Sequence, residues 1–436
     1  MIYYILLYSF RQDKFWVVFK KIEIHSQDLF NSLILKIFFM KIGNENQVLL
    51  CCARKSMSES LMDRVKCLIT QPLDWEGIVK AAFSENIAPL LYINLKDFGE
   101  AKLVPQKTLD SLKRFYFANL ARNIELFSEL CRILEAFNHR EVDTMVLKGA
   151  ALANIVYDDI ALRYMVDIDI LVRQEDLPYV KGIMTDLDYT VNAEVRSEEW
   201  YNKKHGFHLA PFKHIEKSIP VEVHWGISKK SFNIDITKWW TRKRKVEFDS
   251  YTAFIPSAED MLVHLCLHLH HQNYNVRTIK RGLCDIYETL TYYKEFINWE
   301  LFEHEISLCK IVKPIHSILY IIKEFFETGD DTLVKMNIDH VDLKFINILE
   351  NKILNYSPFP GPFIGFYATD NGFVDKAKVL LDSVFPGREI MAARYSISIT
   401  SKWVYFYYLI RPFALLLRYG KFLFCVFRIR KYSVED

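Results

Sequence analysis

The chain has 436 residues, which is longer than one average domain, so it is expected to fold into two or three parts. Hydrophobic residues make up 51%, aromatic residues 15% and charged residues 25%, a composition that excludes a disordered chain. The formal net charge of +2 is too close to neutral for nucleic acid to be the expected partner, so any recognition by charge must be local.

The first forty residues differ from the rest of the sequence. Apolar and basic patches alternate there without helical or strand periodicity, and a second methionine, Met40, follows them. The opening MIYYILLYSF has no preceding basic region and no cleavage site, which argues against a signal peptide, and it is too short to span a bilayer. We interpret residues 1–40 as an extension outside the core. An upstream translation start would explain it, and the sequence leaves open whether this segment is translated in the native protein.

The eight cysteines are scattered along the chain. The only close pair, Cys51 and Cys52, matches neither the spacing of zinc ligands nor a redox CxxC motif. We therefore expect reduced thiols in a cytoplasmic protein.

Residues 41–140 are predicted to form a helical N-terminal domain. Apolar residues recur there at intervals of three and four, as at Leu61, Val65 and Leu68, which is the stripe of an amphipathic helix. A longer segment almost free of helix breakers follows, and we expect its helix to end near His139.

The pattern changes at residue 141. A short strand over 144–147, a turn at Gly149 and a helix precede the strand MVDIDILV. The helix EDLPYVKGIMTDL and the strands GFHLAPF and IPVEVHW follow it. This alternation predicts an α/β domain over residues 141–255. After Ser257, a typical helix N-cap, the pattern is helical again, so residues 256–436 are predicted to form a helical C-terminal domain and the whole chain is α+β.

Two aspartates lie one residue apart in RYMVDIDILV. Successive side chains of a strand face opposite ways, so Asp167 and Asp169 should project from one face. VEVHW alternates in the same manner and places Glu222 with His224 on one face. Nucleotidyl transfer commonly uses two divalent ions held by carboxylates, and oxygen ligands suit Mg²⁺. We predict that Asp167, Asp169 and Glu222 are catalytic residues that bind two Mg²⁺ ions, with Mn²⁺ as an alternative. The alternative without function is that they are solvated acids on an exposed strand.

Cationic and amide groups near these acids suit a triphosphate. Gly149 lies between a strand and a helix, where backbone N–H groups and the helix dipole bind phosphate oxygens, and Lys148 adds a positive charge. Arg163 either clamps a phosphate or pairs with an aspartate. His224 either donates a hydrogen bond to a carboxylate or contacts the substrate. Surface charges or ion pairs are the structural alternatives for Lys148 and Arg163.

The order of LKGAAL, LRYMVDIDILV and VEVHW resembles the nucleotidyltransferase superfamily. In detail it resembles the uncharacterised bacterial branch with a Leu-Lys-Gly turn, an Arg-x-x-x-Asp-x-Asp strand and a Glu-x-His-Trp strand. Flanking helical segments, among them AEDMLVHLCLHLHH and CDIYETL, extend the resemblance over about 49–417. The superfamily turn is usually Gly-Ser or Gly-Gly, whereas Ala150 follows Gly149 here. A serine contact to phosphate is thus replaced by backbone amides of Gly149 and Ala150.

The resemblance implies a nucleotidyltransferase-like domain with a mixed sheet and helical domains on both sides. It implies metal-dependent transfer of a nucleoside monophosphate from an NTP to a small molecule or protein, with release of pyrophosphate. It identifies neither the NTP nor the acceptor, and the oligomeric state stays open. The alternatives are a catalytically inactive nucleotide-binding scaffold or sensor in a biosynthetic assembly, and a peripheral membrane interaction protein.

Two further patterns are ambiguous. His205, His208 and His214 include candidates for a base that deprotonates the acceptor, although polar loop residues are the commoner explanation. The basic run KWWTRKRK, residues 238–245, is typical of a solvated loop, and base stacking on its tryptophans is the functional alternative.

His264, His268 and His271 fall on one helical face, but the helix has no HExxH glutamate. We expect packing at a domain interface or in the nucleotide cleft rather than transition-metal binding. The terminal stretch WVYFYYLIRPFALLLRYGKFLF combines aromatic and basic residues, which is typical of weak contact with a membrane surface. Because Arg411 and Pro412 interrupt it, we expect a packed terminal helix rather than a spanning one.

Overall fold

The computed structural model of the chain describes residues 2–11, 14–23, 43–100, 102–191, 206–228, 234–272, 274–275, 277–309, 312–326, 341, 343–355, 381, 384–398 and 400–429.

Two antiparallel strands form a small sheet of their own at the start of the chain, β1 (Ile2–Arg11) and β2 (Lys14–Glu23). They pair along their full lengths. The segment therefore has strand structure although its sequence shows no strand periodicity. Apolar residues occur at both odd and even positions of each strand, so the alternation that identifies a half-buried strand is missing. Met40 lies outside the described residues.

Five helices in the described chain precede the large sheet: α1 (Asn44–Cys52), α2 (Glu59–Ile69), α3 (Trp75–Ser84), α4 (Ala88–Glu100) and α5 (Gln106–His139). Side-chain caps begin two of them. The Ser58 hydroxyl accepts from the Leu61 N–H at the start of α2, and the Asp74 carboxylate accepts from the Gly77 N–H in α3. The long helix α5 ends at His139, as predicted.

A mixed seven-stranded sheet occupies the middle of the chain. Its strands are β3 (Met145–Val146), β4 (Ile168–Leu171), β5 (Tyr189–Val191), β6 (Phe212–His214), β7 (Pro220–His224), β8 (Arg244–Phe248) and β9 (Tyr251–Ile255). Their order is β5-β6-β7-β4-β3-β9-β8, with β4 parallel to β7 and antiparallel to β3. Three α-helices of the described residues lie between these strands in the sequence: α6 (Lys148–Ile155), α7 (Leu177–Asp186) and α8 (Ile236–Arg242). The predicted α+β class with a mixed sheet is confirmed.

Two predicted strands are shorter or shifted. Strand β4 begins only at Ile168, so Asp167 lies just before it, and Val166 is exposed rather than buried. Hydrogen bonds from side chains of α5 hold the preceding segment instead. Within GFHLAPF, His208 makes a single bridge to His224, and the strand itself starts at Phe212.

Helices dominate again after the sheet: α9 (Ala258–His271), α10 (Ile279–Tyr292), α11 (Trp299–Leu308), α12 (Val312–Phe326), α13 (Leu343–Asn355), α14 (Arg388–Arg394) and α15 (Trp403–Ile429). Ser257 caps α9, where its hydroxyl accepts from the Asp260 N–H.

One continuous apolar core joins the sheet to the helices on both sides of it in sequence. Its buried side chains extend from Val48 in α1 to Ile353 in α13. The Arg54 guanidinium, just after α1, donates to the carbonyl oxygen of Phe326 at 2.9 Å. N- and C-terminal helices therefore contact each other as well as the sheet.

We expected the basic run at 238–245 to be a solvated loop, and this expectation is wrong. The run forms the end of α8 and the start of β8, and Trp239 and Trp240 are both buried. Burial of the two rings stabilises the segment and removes them from contact with bases. Arg242 pairs there with Asp260 at 2.6 Å.

The terminal helix α15 continues through Pro412, which does not interrupt it. Arg411 is buried and donates to the Val384 carbonyl oxygen at 2.9 Å, whereas Leu409, Phe413 and other apolar residues are exposed. The predicted packing of this terminal helix is thus limited to one of its sides. In the part of the chain that the structure describes, every helix is too short or too polar to cross a membrane. The seven cysteines with described side chains form no disulfide.

Candidate active site

Two carboxylates lie side by side on neighbouring parallel strands. Asp169 of β4 pairs in register with Glu222 of β7, so their side chains project from the same face of the sheet. The Asp169 side chain is 5% exposed and that of Glu222 is 27% exposed. Asp167 lies two residues before Asp169, is half-buried, and interacts electrostatically with both. The structure therefore brings the three predicted acids together.

Lys148 lies directly against this group because β3 ends next to β4. The Leu147 N–H donates to the Asp169 carbonyl oxygen at 3.0 Å, and α6 begins at the next residue. The Lys148 Nζ is 2.7 Å from Oδ1 of Asp169. Burial by itself lowers the pKa of Lys148, but the carboxylates of Asp169 and Glu222 outweigh it and raise the pKa. Lys148 is therefore a buried, charged ammonium.

The backbone of Lys148 adopts φ = 43°, in the left-handed region that side chains other than glycine rarely occupy. Such a conformation is unfavourable by about 1 kcal/mol or more and concentrates at functional sites. The neighbouring Gly149 is the second residue of α6, not a turn before it. A Cβ there would lie 3.1 Å from Met165 Sδ, so the close packing favours glycine. The N–H groups of Gly149 and Ala150 are in the first helical turn, where they have no intrahelical acceptor.

His224 completes the inner part of the cluster. Its Nε2 lies 3.0 Å from Asp169 Oδ1 and 3.6 Å from Glu222 Oε2. Burial lowers the pKa of His224 to about 4, so the ring is neutral at pH 7. A neutral ring that donates from Nε2 to Asp169 matches the first of the two roles that the sequence suggests for this residue.

The carboxylates repel one another strongly. Burial and the neighbouring Asp169 raise the pKa of Glu222 to about 7 and that of Asp167 to about 6. Asp169 behaves in the opposite way. Burial alone raises its pKa, but Lys148 and the hydrogen bond from His224 hold the pKa well below the usual value. The Lys148 ammonium thus lowers the pKa of all three acids, and a divalent cation would further favour their ionised form.

Within the described residues, Asp169, Glu222 and His224 offer ligand atoms that all lie within 4.8 Å of one another. This set fits a divalent cation because two carboxylates and one imidazole converge on one point. Asp167, the third predicted ligand, is not part of this set, and its role as a ligand stays a prediction. Asp167 precedes the strand, whereas His224 follows Glu222 by two residues on the same face of β7.

Arg163 pairs with an aspartate, but not with either aspartate of the strand. Its Nε and Nη2 each lie 2.7 Å from a carboxylate oxygen of Asp285 in α10. The Tyr157 hydroxyl also donates to Asp285, at 2.8 Å. A phosphate contact by Arg163 stays a prediction. The side of its guanidinium that faces Asp285 is already occupied by this ion pair.

The two described histidines of the β6 region have different surroundings. His208 lies beside the cluster, with its ring centroid 5.2 Å from that of His224 and its Nδ1 2.8 Å from the Leu209 carbonyl oxygen. His214 instead supports a turn, where its Nδ1 accepts from the N–H groups of Glu216 and Lys217. His205 lies outside the described residues.

Helix α9 contributes histidines behind the site. His264 is buried with its ring edge against Trp239, at a centroid distance of 5.9 Å. The His271 ring stacks on Phe207 at 6.4 Å, and Phe207 in turn stacks on His224 at 6.2 Å. These contacts agree with the predicted packing near the cleft.

Acid should destabilise the protein through His264. Burial, followed by the charge of Lys148, holds the pKa of His264 well below its usual value, despite the opposing charge of Asp169. The unfolded chain therefore binds a proton more readily than the native state, and stability is lost as pH falls below about 6.5. We expect His264→Gln to remove about 2 kcal/mol of the decrease in unfolding free energy between pH 7 and pH 5, measured by urea denaturation. His139→Gln, at an exposed position, is the control; equal pH dependence in both variants would contradict the prediction.

Sequence reasoning missed the residues that position Arg163. In α5, Asn119 Nδ2 donates to the Ala161 carbonyl oxygen at 2.7 Å, and Asn123 Nδ2 donates to that of Arg163 at 2.8 Å. Both asparagines continue the buried stripe of α5, and a buried amide needs such partners. Two asparagines on the apolar face of a helix were therefore the sequence feature that could have identified these contacts. For Asp285 the only signal was its segment, CDIYETL.

Comparison with known proteins adds an independent finding. A family model described as an uncharacterised nucleotidyltransferase matches residues 71–327, which is more than half of the chain. No curated protein matches the sequence. The matched region contains the sheet, the carboxylates and Lys148, together with α9 and α10. The chain therefore belongs to this family of uncharacterised nucleotidyltransferases.

Proposed function

We propose that the protein transfers a nucleoside monophosphate from an NTP to a small molecule or protein side chain and releases pyrophosphate in a metal-dependent reaction. The observation that carries the proposal is the register of Asp169 with Glu222 on parallel strands, with Lys148 in contact with the first of them. Family membership supports nucleotidyl transfer in general.

The cation is expected to bind Asp169, Glu222 and His224, with Asp167 at the edge of the cluster. Mg²⁺ suits the carboxylates and Mn²⁺ is an alternative that also suits the imidazole. A pair of such ions, when bound, supplies charge neutralisation on the attacking and leaving oxygens. Lys148 and His224 both contact Oδ1 of Asp169 and so orient this carboxylate. A cation bound through Nε2 of His224 would displace the proton that this nitrogen donates to Asp169.

Lys148 and the first turn of α6 would bind the phosphates. The ammonium is charged, buried and within hydrogen-bond distance of the carboxylate cluster. The N–H groups of Gly149 and Ala150 lie beside it at the positive end of the helix. Together they would hold the triphosphate in line with the attacking group, which contributes to the rate by positioning and charge neutralisation.

His208 is the candidate base for the acceptor among the three histidines that the sequence suggests. It is the described member of that set that lies beside His224. Its Nδ1 is the nitrogen directed at the Leu209 carbonyl oxygen, so Nε2 carries the lone pair of a neutral ring. Burial lowers the pKa of His208, which keeps the ring neutral at pH 7 and able to accept a proton.

The test is incubation of the protein with labelled NTPs, Mg²⁺ and cell extract. We expect pyrophosphate release and transfer of label, both reduced at least about 100-fold in Asp167→Asn because a carboxylate next to the cation site is lost. Unchanged release and transfer in this variant would contradict the site assignment. Asp186→Asn, at an exposed acid of α7, is the matched control and should behave like the parent protein.

A second candidate is a nucleotide-binding scaffold or sensor without transfer activity. The Lys148–Asp169 ion pair favours it, because the ammonium already neutralises the central carboxylate in the absence of a cation. This protein would bind NTP without consuming it, and Asp169→Asn would leave its cellular function intact.

The exposed apolar residues of α15 support a third candidate, peripheral contact with a membrane surface. They include Trp403, Leu409, Phe413 and Leu417. Sedimentation with anionic vesicles tests it, and a protein that stays in the supernatant would contradict it.

A further inference from the structure

Arg281 lies in the first turn of α10, four residues before Asp285, so both side chains lie on the same helical face. Asp285 binds Arg163, the residue that leads into the aspartate strand. At Gly282 a Cβ would lie 2.9 Å from Leu269 Cδ1, so this turn of α10 packs closely on α9. Arg281 therefore lies on the face of α10 that carries Asp285, in a turn packed against α9.

Among the described residues, no carboxylate forms a close ion pair with the Arg281 guanidinium, although the charges of Asp285 and Asp167 act on it. Its Nε is buried without a hydrogen-bond acceptor. The nearest candidate, Asp285, already accepts two hydrogen bonds from Arg163 and one from Tyr157. A buried cation in this state is strongly unfavourable, so the site is suited to an anion that arrives from outside the chain.

The electrostatics place this guanidinium beside the acids. Burial and the like charge of Arg163 lower the pKa of Arg281 to about 10, which still leaves it charged at pH 7. Arg281 in turn lowers the pKa of Asp167, and Asp167 raises that of Arg281. The charge of Arg281 therefore acts on the exposed side of the cluster, where Asp167 lies.

Three cations surround the carboxylates, and two of them are already paired. Lys148 contacts Asp169, and Arg163 contacts Asp285. We propose that Arg281 is a phosphate-binding residue of the active site and contacts the β- and γ-phosphates of the NTP. A guanidinium presents a planar fork of N–H donors that matches two phosphate oxygens. This inference rests on the proposed function and adds to it a residue that follows the aspartate strand by more than a hundred positions.

The experiment measures binding of tripolyphosphate with Mg²⁺ by calorimetry, since this probe contains the phosphates but no base. We expect Arg281→Gln to weaken binding about 10- to 100-fold, the effect of losing a charge-assisted contact. Arg281→Lys keeps the charge but not the fork, and we expect an intermediate loss. Arg277→Gln, at an exposed arginine just before α10, is the control and should bind like the parent protein.

Thermal unfolding without ligand separates binding from a structural role. Arg281→Gln removes a buried unpaired charge, so its melting temperature should be unchanged or higher than that of the parent protein. A lower melting temperature with unchanged tripolyphosphate affinity would overturn the inference. If Arg281→Gln does not fold, Arg281→Lys decides, and parent-like affinity in that variant would also overturn it.

Failure of this inference differs from failure of the proposed function. A parent protein that releases pyrophosphate from NTP, with an affinity for tripolyphosphate that Arg281→Gln leaves unchanged, overturns only the role of Arg281. A parent protein that neither binds tripolyphosphate nor releases pyrophosphate overturns the proposed function and this inference together.

Discussion

Asp169→Asn is expected to reduce pyrophosphate release from NTP by at least about 10³-fold, the largest effect of any single substitution in the site. Asp169 accepts from Lys148 and from His224, and it lies beside Glu222 on the neighbouring strand. An amide keeps the shape of the side chain but loses the charge that binds the cation and pairs with Lys148. Release is measured in a coupled pyrophosphate assay under saturating NTP and Mg²⁺.

Asp169→Asn also needs a test of folding, because the substitution leaves the Lys148 ammonium buried beside an uncharged amide. Circular dichroism and thermal unfolding provide that test. A folded Asp169→Asn protein that retains more than about a tenth of the parent activity would contradict the role of Asp169. Asp186→Asn removes an exposed acid and is expected to retain full activity.

Asp285→Ala is expected to lower the free energy of unfolding by about 3–5 kcal/mol, measured by urea denaturation. The Arg163 guanidinium would lose both of its contacts with Asp285 and stay buried. The Tyr157 hydroxyl would lose its hydrogen-bond acceptor. The repulsion between Arg163 and Arg281 would no longer be offset by the negative charge of Asp285.

A double-mutant cycle identifies the cause of that loss. Arg163→Met combined with Asp285→Ala removes both charges and should be clearly more stable than the sum of these two single substitutions predicts. Additive losses would show that the pair is not coupled. Glu175→Ala, at an exposed acid of the short turn before α7, should change stability by less than about 0.5 kcal/mol.

Local sequence patterns predict the strands of the site, but they do not predict where each strand begins and ends. The alternation in VEVHW predicted that Glu222 and His224 share a face, and β7 places both in the cluster. The same reasoning placed Asp167 inside a strand, although β4 begins one residue later. Side chains of a distant helix, α5, bind the backbone before β4, and no local pattern contains that information.

The basic run at 238–245 shows why exposure is harder to predict than helix or strand. Its five lysines and arginines within eight positions suggested a solvated loop, but its tryptophans are buried and Arg242 pairs with Asp260. Burial of an indole ring outweighs the charge of neighbouring residues that extend to carboxylates. The hairpin of β1 and β2 was missed for the opposite reason, because apolar residues on both faces conceal the strand period.

The sequence by itself determined the family of the protein and predicted the acids of the candidate site and the Lys-Gly segment before them. Those inferences depend on residue type, on a period of two along a strand and on the order of short motifs, all of which are local properties. Only the tertiary structure decided which cation pairs with which carboxylate. Lys148 contacts Asp169 across 21 positions, His224 does so across 55, and Arg163 reaches Asp285 across 122. Such partners are chosen by burial, since a charge removed from water must find an opposite charge wherever the fold brings one close.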